Sequence, residues 1–406
     1  MRRLIIENIG PIKHVDLELA KVNVFVGPQG AGKSTLAKII SFCSWLEKHS
    51  SDDSVFLDAA SKLKSYHRLA SYFNPDSQIY YQGEDIIYCY GWDKEQISMP
   101  ERFENANVLS PNEKETIWFA IGKSVNPKVI YIPAERNFVA SVPNLQDYME
   151  DADSLQGFVV DWYNAKRRYT SSTPLPVLDL DVRFYSSDNT PDSLMLKNGT
   201  PVPLAASASG YQSLIPILTV VDWLSSGIYK TNKPFSPSEH EKIMSTLEDI
   251  RSQQSVEELE QLKKRLVGFI EGKIYTHTQF VIEEPEQNLF PQTQKDLVYY
   301  LVSALDHGKN HHLVMTTHSP YILSALNNLL YAHKVAQQDK KEFVCDIIPE
   351  SSWLDFKQTR AYFVNDGGVS GIMDEETGMV SAETIDSISD TLNREFEQLL
   401  DIEYRS

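Results

Sequence analysis

The residues able to do chemistry collect at the ends of short apolar stretches. Val22-Asn23-Val24-Phe25-Val26 runs into Gly27-Pro28-Gln29-Gly30-Ala31-Gly32-Lys33-Ser34-Thr35, and a helical pattern leaves it. Glycines at this spacing let successive backbone N–H groups turn inward around a phosphate, and the helix that follows adds the positive end of its dipole. G-x-x-x-x-G-K-S between a strand and a helix is the phosphate-loop pattern. Gly27, Gln29, Gly30, Ala31, Gly32, Lys33, Ser34 and Thr35 are therefore the expected nucleotide cradle. In it Lys33 reaches the β- and γ-phosphates, and Ser34 offers its hydroxyl to Mg²⁺.

Two further apolar stretches deliver polar tips. Phe280-Val281-Ile282 ends in Glu283-Glu284, and His312-Leu313-Val314-Met315-Thr316-Thr317 ends in His318-Ser319-Pro320. Phosphoryl transfer asks a protein for positioning and charge stabilisation more than for covalent chemistry. Glu283 is the candidate to hold Mg²⁺, directly or through water, and Glu284 the candidate to orient and polarise an attacking water. His318 would hydrogen-bond that water or the γ-phosphate. Catalytic roles thus fall on Lys33, Glu284 and His318, and metal ligation on Ser34 and Glu283. A fourth stretch, Val129 to Ile132, exits into Pro133-Ala134-Glu135-Arg136, where α/β sheets place groups that touch ligands. Ala205 to Ser213 opens another helix with small residues and a glycine, a second phosphate cradle by the same physics, although ordinary capping uses the same residues.

These tips need elements to carry them. Residues 3–26 read as three strands separated by tight turns, with Gly10-Pro11 at the first. An apolar stripe follows the phosphate loop as a helix. Residues 51–73 form a weaker helical stretch, and Ile79 to Tyr90 two strands around Gly83-Glu84, their aromatics serving strand packing. Asp151 to Tyr169 reads as a helix. Val177 to Phe184 and Leu194 to Leu196 read as strands, with a hairpin turn at Asn198-Gly199. Residues 236–270 form two short amphipathic helices. Ala361 to Val364 and Ser370 to Met373 are strand-like, and Ile385 to Leu400 is a final amphipathic helix.

Size and charge narrow the function. The 406 residues carry a net charge of −18 and no apolar run of the roughly 20 residues that spans a bilayer. Cys43, Cys89 and Cys345 have no metal spacing and form no disulfide framework, which points to a reducing cytoplasm. A binder of DNA over its whole surface would be basic. Lys166-Arg167-Arg168, beside Tyr163 and Tyr169, is the one short basic run, and reads as the solvated face of a helix in preference to a nucleic-acid patch.

Taken in order, the motifs resemble the head of ABC/SMC-type ATPases, and more narrowly bacterial ATPases related to the OLD (overcoming lysogenization defect) family. The resemblance rests on Ile6 to Pro11, Gly27 to Thr35, Tyr131 to Arg136, Ser207 to Gln212, Ile282 to Glu286 with Leu289 and Pro291, and Thr317 to Pro320. It implies an α/β fold, a P-loop ABC-type head with a mixed-sheet core, an inserted helical lobe and a short helical hairpin. The core would comprise residues 1–140 and 271–406. The lobe would comprise 141–270, with the signature-like motif at 205–226 and the hairpin at 236–270. The implied ligands are ATP and Mg²⁺. Ser207, Ser209, Gly210 and Gln212 would contact the γ-phosphate held by a second copy, and Glu286 to Pro291 would cross the interface of a head-to-tail, ATP-sandwiched dimer. Ala208 stands where the family's signature usually has serine, which implies slow turnover.

The resemblance is to members without a C-terminal Toprim domain, such as the stand-alone ATPases of Septu, retron-associated and PARIS-type antiphage systems. That implies a sensor and scaffold, dimeric or larger, that controls a separately encoded effector such as a nuclease or toxin. The alternative is a DNA-maintenance ATPase similar to RecF or SMC heads that clamps duplex DNA, disfavoured by the acidic balance. A transporter subunit at a membrane fits the motif set less well.

Overall fold

The computed structural model describes residues 2–50, 58–93, 100–104, 106–112, 116–121, 125–142, 153–187, 190–230, 237–253, 275–381 and 393–400, with isolated residues between them. The chain opens as a hairpin, β1 (Arg2–Ile9) and β2 (Ile12–Leu19), and continues through β3 (Val22–Val26) and the phosphate loop into α1 (Lys33–Lys48). The weak helical stretch is realised as α2 (Ala59–Tyr66) and a single turn over 70–72, while 51–54 and 56–57 lie outside the described residues. Next come β4 (Gln78–Gln82), β5 (Ile86–Tyr90), β6 (Asn107–Asn112) and β7 (Thr116–Ala120). With the first hairpin they make a six-stranded antiparallel sheet in the order β2-β1-β4-β5-β7-β6. Tyr80, Tyr81, Tyr88 and Tyr90 are buried, so the aromatic density here packs the sheet.

β8 (Lys128–Ile132) is followed by α3 (Ser154–Lys166) and four short strands, β9 (Leu175–Pro176), β10 (Arg183–Ser187), β11 (Thr190–Met195) and β12 (Pro201–Pro203). The strand expected over Val177 to Phe184 is instead mostly a turn. Leu178 and Asp181 take φ of 47° and 52°, the Val177 N–H donates to Val182 O, and β10 begins only at Arg183. The V-L-D-L-D-V alternation imitates a strand, but the chain doubles back so that β9 pairs antiparallel with β10. Asn198-Gly199 does close a hairpin, between β11 and β12.

α4 (Ser209–Asp222) and α5 (Pro237–Ser252) follow; α5 is the first arm of the expected hairpin, whose second arm lies almost wholly outside the described residues. The chain then runs through β13 (Thr278–Glu283), α6 (Pro291–Ala304), β14 (His312–Thr317), α7 (Pro320–Val335), β15 (Thr359–Asn365) and β16 (Gly368–Gly371). Of the final helix, residues 393–400 are described and are helical.

The second six-stranded sheet has the order β16-β15-β3-β14-β13-β8, parallel except for its edge strand β16. Its central strands β3, β14 and β13 are buried on both faces, hence their largely apolar centres. Val24, Ile130, Ile282, Leu313 and Met315 pack with α3, α4, α6 and α7 on one side. Phe25, Tyr131, Val281, Val314 and Tyr362 pack with α1 and the antiparallel sheet on the other. Helix α1 is thereby held between the two sheets, and the loop before it has a fixed backing. No helix among the described residues is long and apolar enough to cross a membrane.

The opposite end of the parallel sheet buries histidines. His311 Nδ1 accepts from the Thr278 N–H at 2.9 Å, so its Nε2–H donates to Ser225 O at 2.8 Å and the ring is neutral. The His277 and His312 rings lie 4.5 Å apart. Burial, with Arg2 nearby, lowers His277 to about 4 and His312 well below the usual imidazole value; burial also lowers His311 to about 4 and His67 to about 3. Folded values below the unfolded value of about 6.5 mean that the neutral rings stabilise the fold fully above that pH, and less as pH falls toward 4. Glu47 and Glu283, whose burial raises their pKa, act in the opposite sense but are fewer. The denaturant midpoint should therefore be clearly lower at pH 5 than at pH 7.5, and an unchanged midpoint would refute the account.

Candidate nucleotide site

The parallel strands end level with one another. Val26 of β3 lies opposite Thr317 of β14, Thr316 opposite Glu283 of β13, and Ile282 opposite Ile132 of β8. The phosphate loop, His318, Glu283-Glu284 and Pro133 to Arg136 therefore leave from a single edge, the carboxyl end of the sheet, where open α/β sheets bind ligands. Close packing fixes the loop as well. A Cβ on Gly27 would sit 2.1 Å from the Val364 carbonyl oxygen of β15, so the position accepts no side chain. α1 starts directly behind Gly32, whose φ is 109°.

Lys33 is buried, and its ammonium donates to Gly27 O at 2.9 Å and Pro28 O at 2.8 Å. Burial lowers its pKa, against the pull of Glu284, Glu286 and Glu283. His318 lies between Lys33 and Glu284, with Nδ1 3.4 Å from Lys33 Nζ and Nε2 3.2 Å from Glu284 Oε1. The tautomer protonated at Nε2 satisfies both contacts, donating to the carboxylate and accepting from the lysine. The His318 N–H donates to Glu286 Oε1 at 2.7 Å. Lys33, Glu284 and His318, inferred separately from sequence, thus form one contiguous chain.

Glu283 is buried, and burial raises its pKa against hydrogen bonds from Ser34 and Tyr131. Its Oε1 has no partner. A buried, unpaired carboxylate oxygen beside a serine hydroxyl suits Mg²⁺, which takes few protein ligands and completes its shell with water and phosphate. Among the described residues no group of three or more His, Cys, Asp or Glu is placed to hold a metal.

The exposed start of α4 carries the signature-like residues. Ser209 is exposed and Ser207 Oγ donates to Leu204 O. The Gln212 amide shapes its own loop: Nε2 donates to Ala205 O and Ser207 O, and Oε1 accepts from Ser141 Oγ. Gly210 approaches the other loop so closely that a Cβ would lie 3.0 Å from Asn288 O. Of the basic run Arg167 and Arg168 are exposed, as a solvated face would have them, while Lys166 is half-buried and two of the three cations have partners within the chain. Lys166 pairs with Asp192 at 2.8 Å, and the Arg168 guanidinium lies 3.8 Å from the centre of the Trp223 ring.

Of the pair after β8, Glu135 is exposed and Arg136 wholly buried. Arg136 donates to the main-chain carbonyls of Ser213, Pro133, Glu283, Glu284 and Pro285. Its position at a strand exit made it a candidate, but nothing in the sequence says that this arginine turns inward, since arginine is so seldom fully buried.

Residues 3–158 match a family model described as an AAA domain, and residues 238–323 one described as an AAA ATPase domain. The strand, phosphate loop and helix (β3, residues 27–32, α1) set in a mainly parallel sheet make this a P-loop α/β fold, and both matched models are described as AAA domains. Among solved structures, the chain is similar to the SMC head domain from Thermotoga maritima (10% identity, 91% of this chain and 97% of that one, TM-score 0.38). It is similar too to the Smc head domain from Pyrococcus furiosus bound to the C-terminal domain of ScpA (10%, 97% and 100%, 0.38) and to the recombination mediator RecF (10%, 91% and 97%, 0.31). Scores of this size describe a distant likeness. No curated protein matches the sequence.

Gly27→Ala tests the backing of the loop. The added methyl must displace either β15 or the loop, so the variant should lose both thermal stability and nucleotide binding, read by a melting curve with and without ATP. Wild-type values in both would show that the loop is not held against Val364.

Proposed function

We propose that this chain is an ATP-hydrolysing subunit that closes head-to-tail with a second copy around ATP and, as a sensor and scaffold, controls a separately encoded effector in antiphage defence. The observation that carries the ATPase part is the unbroken chain Lys33–His318–Glu284, set beside the half-satisfied Glu283. Lys33 has no carboxylate within ion-pair distance among the described residues, only two carbonyls and the neutral His318 ring, and an incoming phosphate supplies the missing negative charge. Glu284 takes a hydrogen bond from the attacking water and polarises it. His318 fixes the Glu284 carboxylate from behind while facing the phosphate side. Ser34 and Glu283 would hold Mg²⁺, whose charge offsets that developing on the phosphate oxygens.

The dimer and the effector rest on the motif order and its resemblance to stand-alone OLD-related ATPases. The exposed start of α4, with Ser207, Ser209 and Gly210, supports a surface offered to a second copy. Against a duplex-DNA clamp stand the net charge of −18 and the engagement of Lys166 and Arg168 within the chain.

Two substitutions test the site. Lys33→Ala should abolish nucleotide binding. Glu284→Gln should still bind ATP, slow hydrolysis by on the order of 10²-fold or more, and accumulate as the closed dimer. Normal turnover in Glu284→Gln would remove Glu284 from its role. Native mass of the protein expressed from its own operon, with ATP and Mg²⁺, tests the partner: a second, different chain is expected. A lone protein whose hydrolysis is stimulated by duplex DNA, with strong salt dependence, would replace this reading with the clamp.

A further inference from the structure

We infer that Arg136 is a positioning residue that bolts the Glu283-Glu284-Pro285 main chain to the start of α4, so that Glu284 is aimed only while α4 holds its place. The reaction it serves rests on the ATPase reading above; the joint itself rests on geometry.

The guanidinium has no solvent exposure, and its hydrogen bonds all go to backbone carbonyls. Nε donates to Ser213 O at 3.0 Å. Nη1 donates to Glu283 O at 2.8 Å and Pro133 O at 3.2 Å, and Nη2 to Glu284 O at 2.8 Å and Pro285 O at 3.3 Å. Among the described residues it has no carboxylate within ion-pair distance, and burial draws its pKa down to about 10. A buried cation held only by carbonyls is an expensive way to fill space, and an apolar side chain would fill it more cheaply. What the fork supplies is simultaneous registration of three segments: the exit of β8, the exit of β13 and the first turns of α4.

The β13 exit needs such a hold. Glu284 has φ 43°, a left-handed conformation that non-glycine residues adopt only when their surroundings impose it. Its carboxylate must also meet His318 Nε2 at 3.2 Å while Glu286 meets the His318 N–H. A second strut crosses the same gap: Asn288 Nδ2 donates to Ser213 Oγ at 2.9 Å. Gly210 closes the contact from the α4 side at Asn288 O. Any shift of α4 therefore pulls on the backbone that aims Glu284, and any shift at Glu284 is passed to the surface carrying Ser207 to Gly210.

Two variants test the joint in the full-length protein. Arg136→Lys keeps the charge but cannot bridge three segments; Ser213→Ala removes the acceptor of Asn288 and leaves the arginine in place. Arg136→Lys should lower kcat by on the order of 10²-fold while nucleotide affinity stays within about threefold. Amide hydrogen exchange should rise together over 283–288 and 209–214, and not over 27–36. Ser213→Ala should show the same pattern at smaller amplitude. Wild-type kcat in folded Arg136→Lys, or faster exchange in only one of the two segments, overturns the proposal. Should Arg136→Lys fail to fold, Ser213→Ala decides alone, and unchanged kcat with unchanged exchange overturns it. Should the wild type not hydrolyse ATP, the functional reading falls, and paired exchange in the variants still decides whether the joint exists.

Discussion

The site depends on the shared level at which β3, β14, β13 and β8 end. Because Val26 pairs with Thr317, Thr316 with Glu283 and Ile282 with Ile132, each strand ends within a residue of its neighbour, and four unrelated loops are brought to one edge without any loop having to reach. Parallel pairing makes this possible, since it puts all carboxyl ends on one edge and the connecting segments elsewhere. The two apolar faces fix the level. A one-residue slip of β13 would turn Val281 and Ile282 onto the wrong sides and carry Glu283 away from Ser34. Packing of the strands and placement of the Glu283 carboxylate beside Ser34 are thus one constraint.

Burial at that edge explains the charges. Lys33, Glu283 and Arg136 are all removed from water, and each is incompletely compensated by the chain. A protein selected for stability alone would pair such groups or replace them. Lys33 rests on two carbonyls and Glu283 keeps an unpaired oxygen, so the fold leaves one positive and one negative group open to a ligand of opposite charge. Arg136 differs from them. Its compensation is complete in hydrogen bonds and incomplete in charge, the pattern of a group that holds position and does not await a ligand.

The site-bearing elements were readable in the residues because local and global signals agree there. Glycine spacing, the lysine and the strand–helix setting all name the phosphate loop. Glu283-Glu284 and His318 follow apolar runs too short and too β-branched to be helices. Legibility failed where local pattern and tertiary context part. Val177 to Val182 alternates like a strand, yet Leu178 and Asp181 adopt left-handed backbone and the chain turns. Lys166 to Arg168 reads as a solvated charge run, and Arg167 and Arg168 are exposed, but the engagement of Lys166 by Asp192 and of Arg168 by Trp223, distant in sequence, was not visible in it. The inward turn of Arg136 was beyond sequence for the same reason: its partners are backbone carbonyls from three separate segments, which side-chain pattern does not record.

The two ends of the parallel sheet treat ionisable groups in contrary ways. At the carboxyl end the carboxylates of Glu283, Glu284 and Glu286 pull on Lys33 and Arg136 and offset part of the loss of water, although burial still lowers both cations' pKa. At the amino end His277, His311 and His312 crowd together near Arg2, where like charges would repel, and burial keeps the rings neutral. His311 shows how: with Nδ1 accepting from the Thr278 N–H and Nε2–H donating to Ser225 O, both nitrogens are satisfied without a charge. The same strands, β13 and β14, begin in that neutral cluster and end in Glu283 and His318. Acidification would therefore act first on the foundation of these strands, and would reach the nucleotide site through the register that aligns their ends.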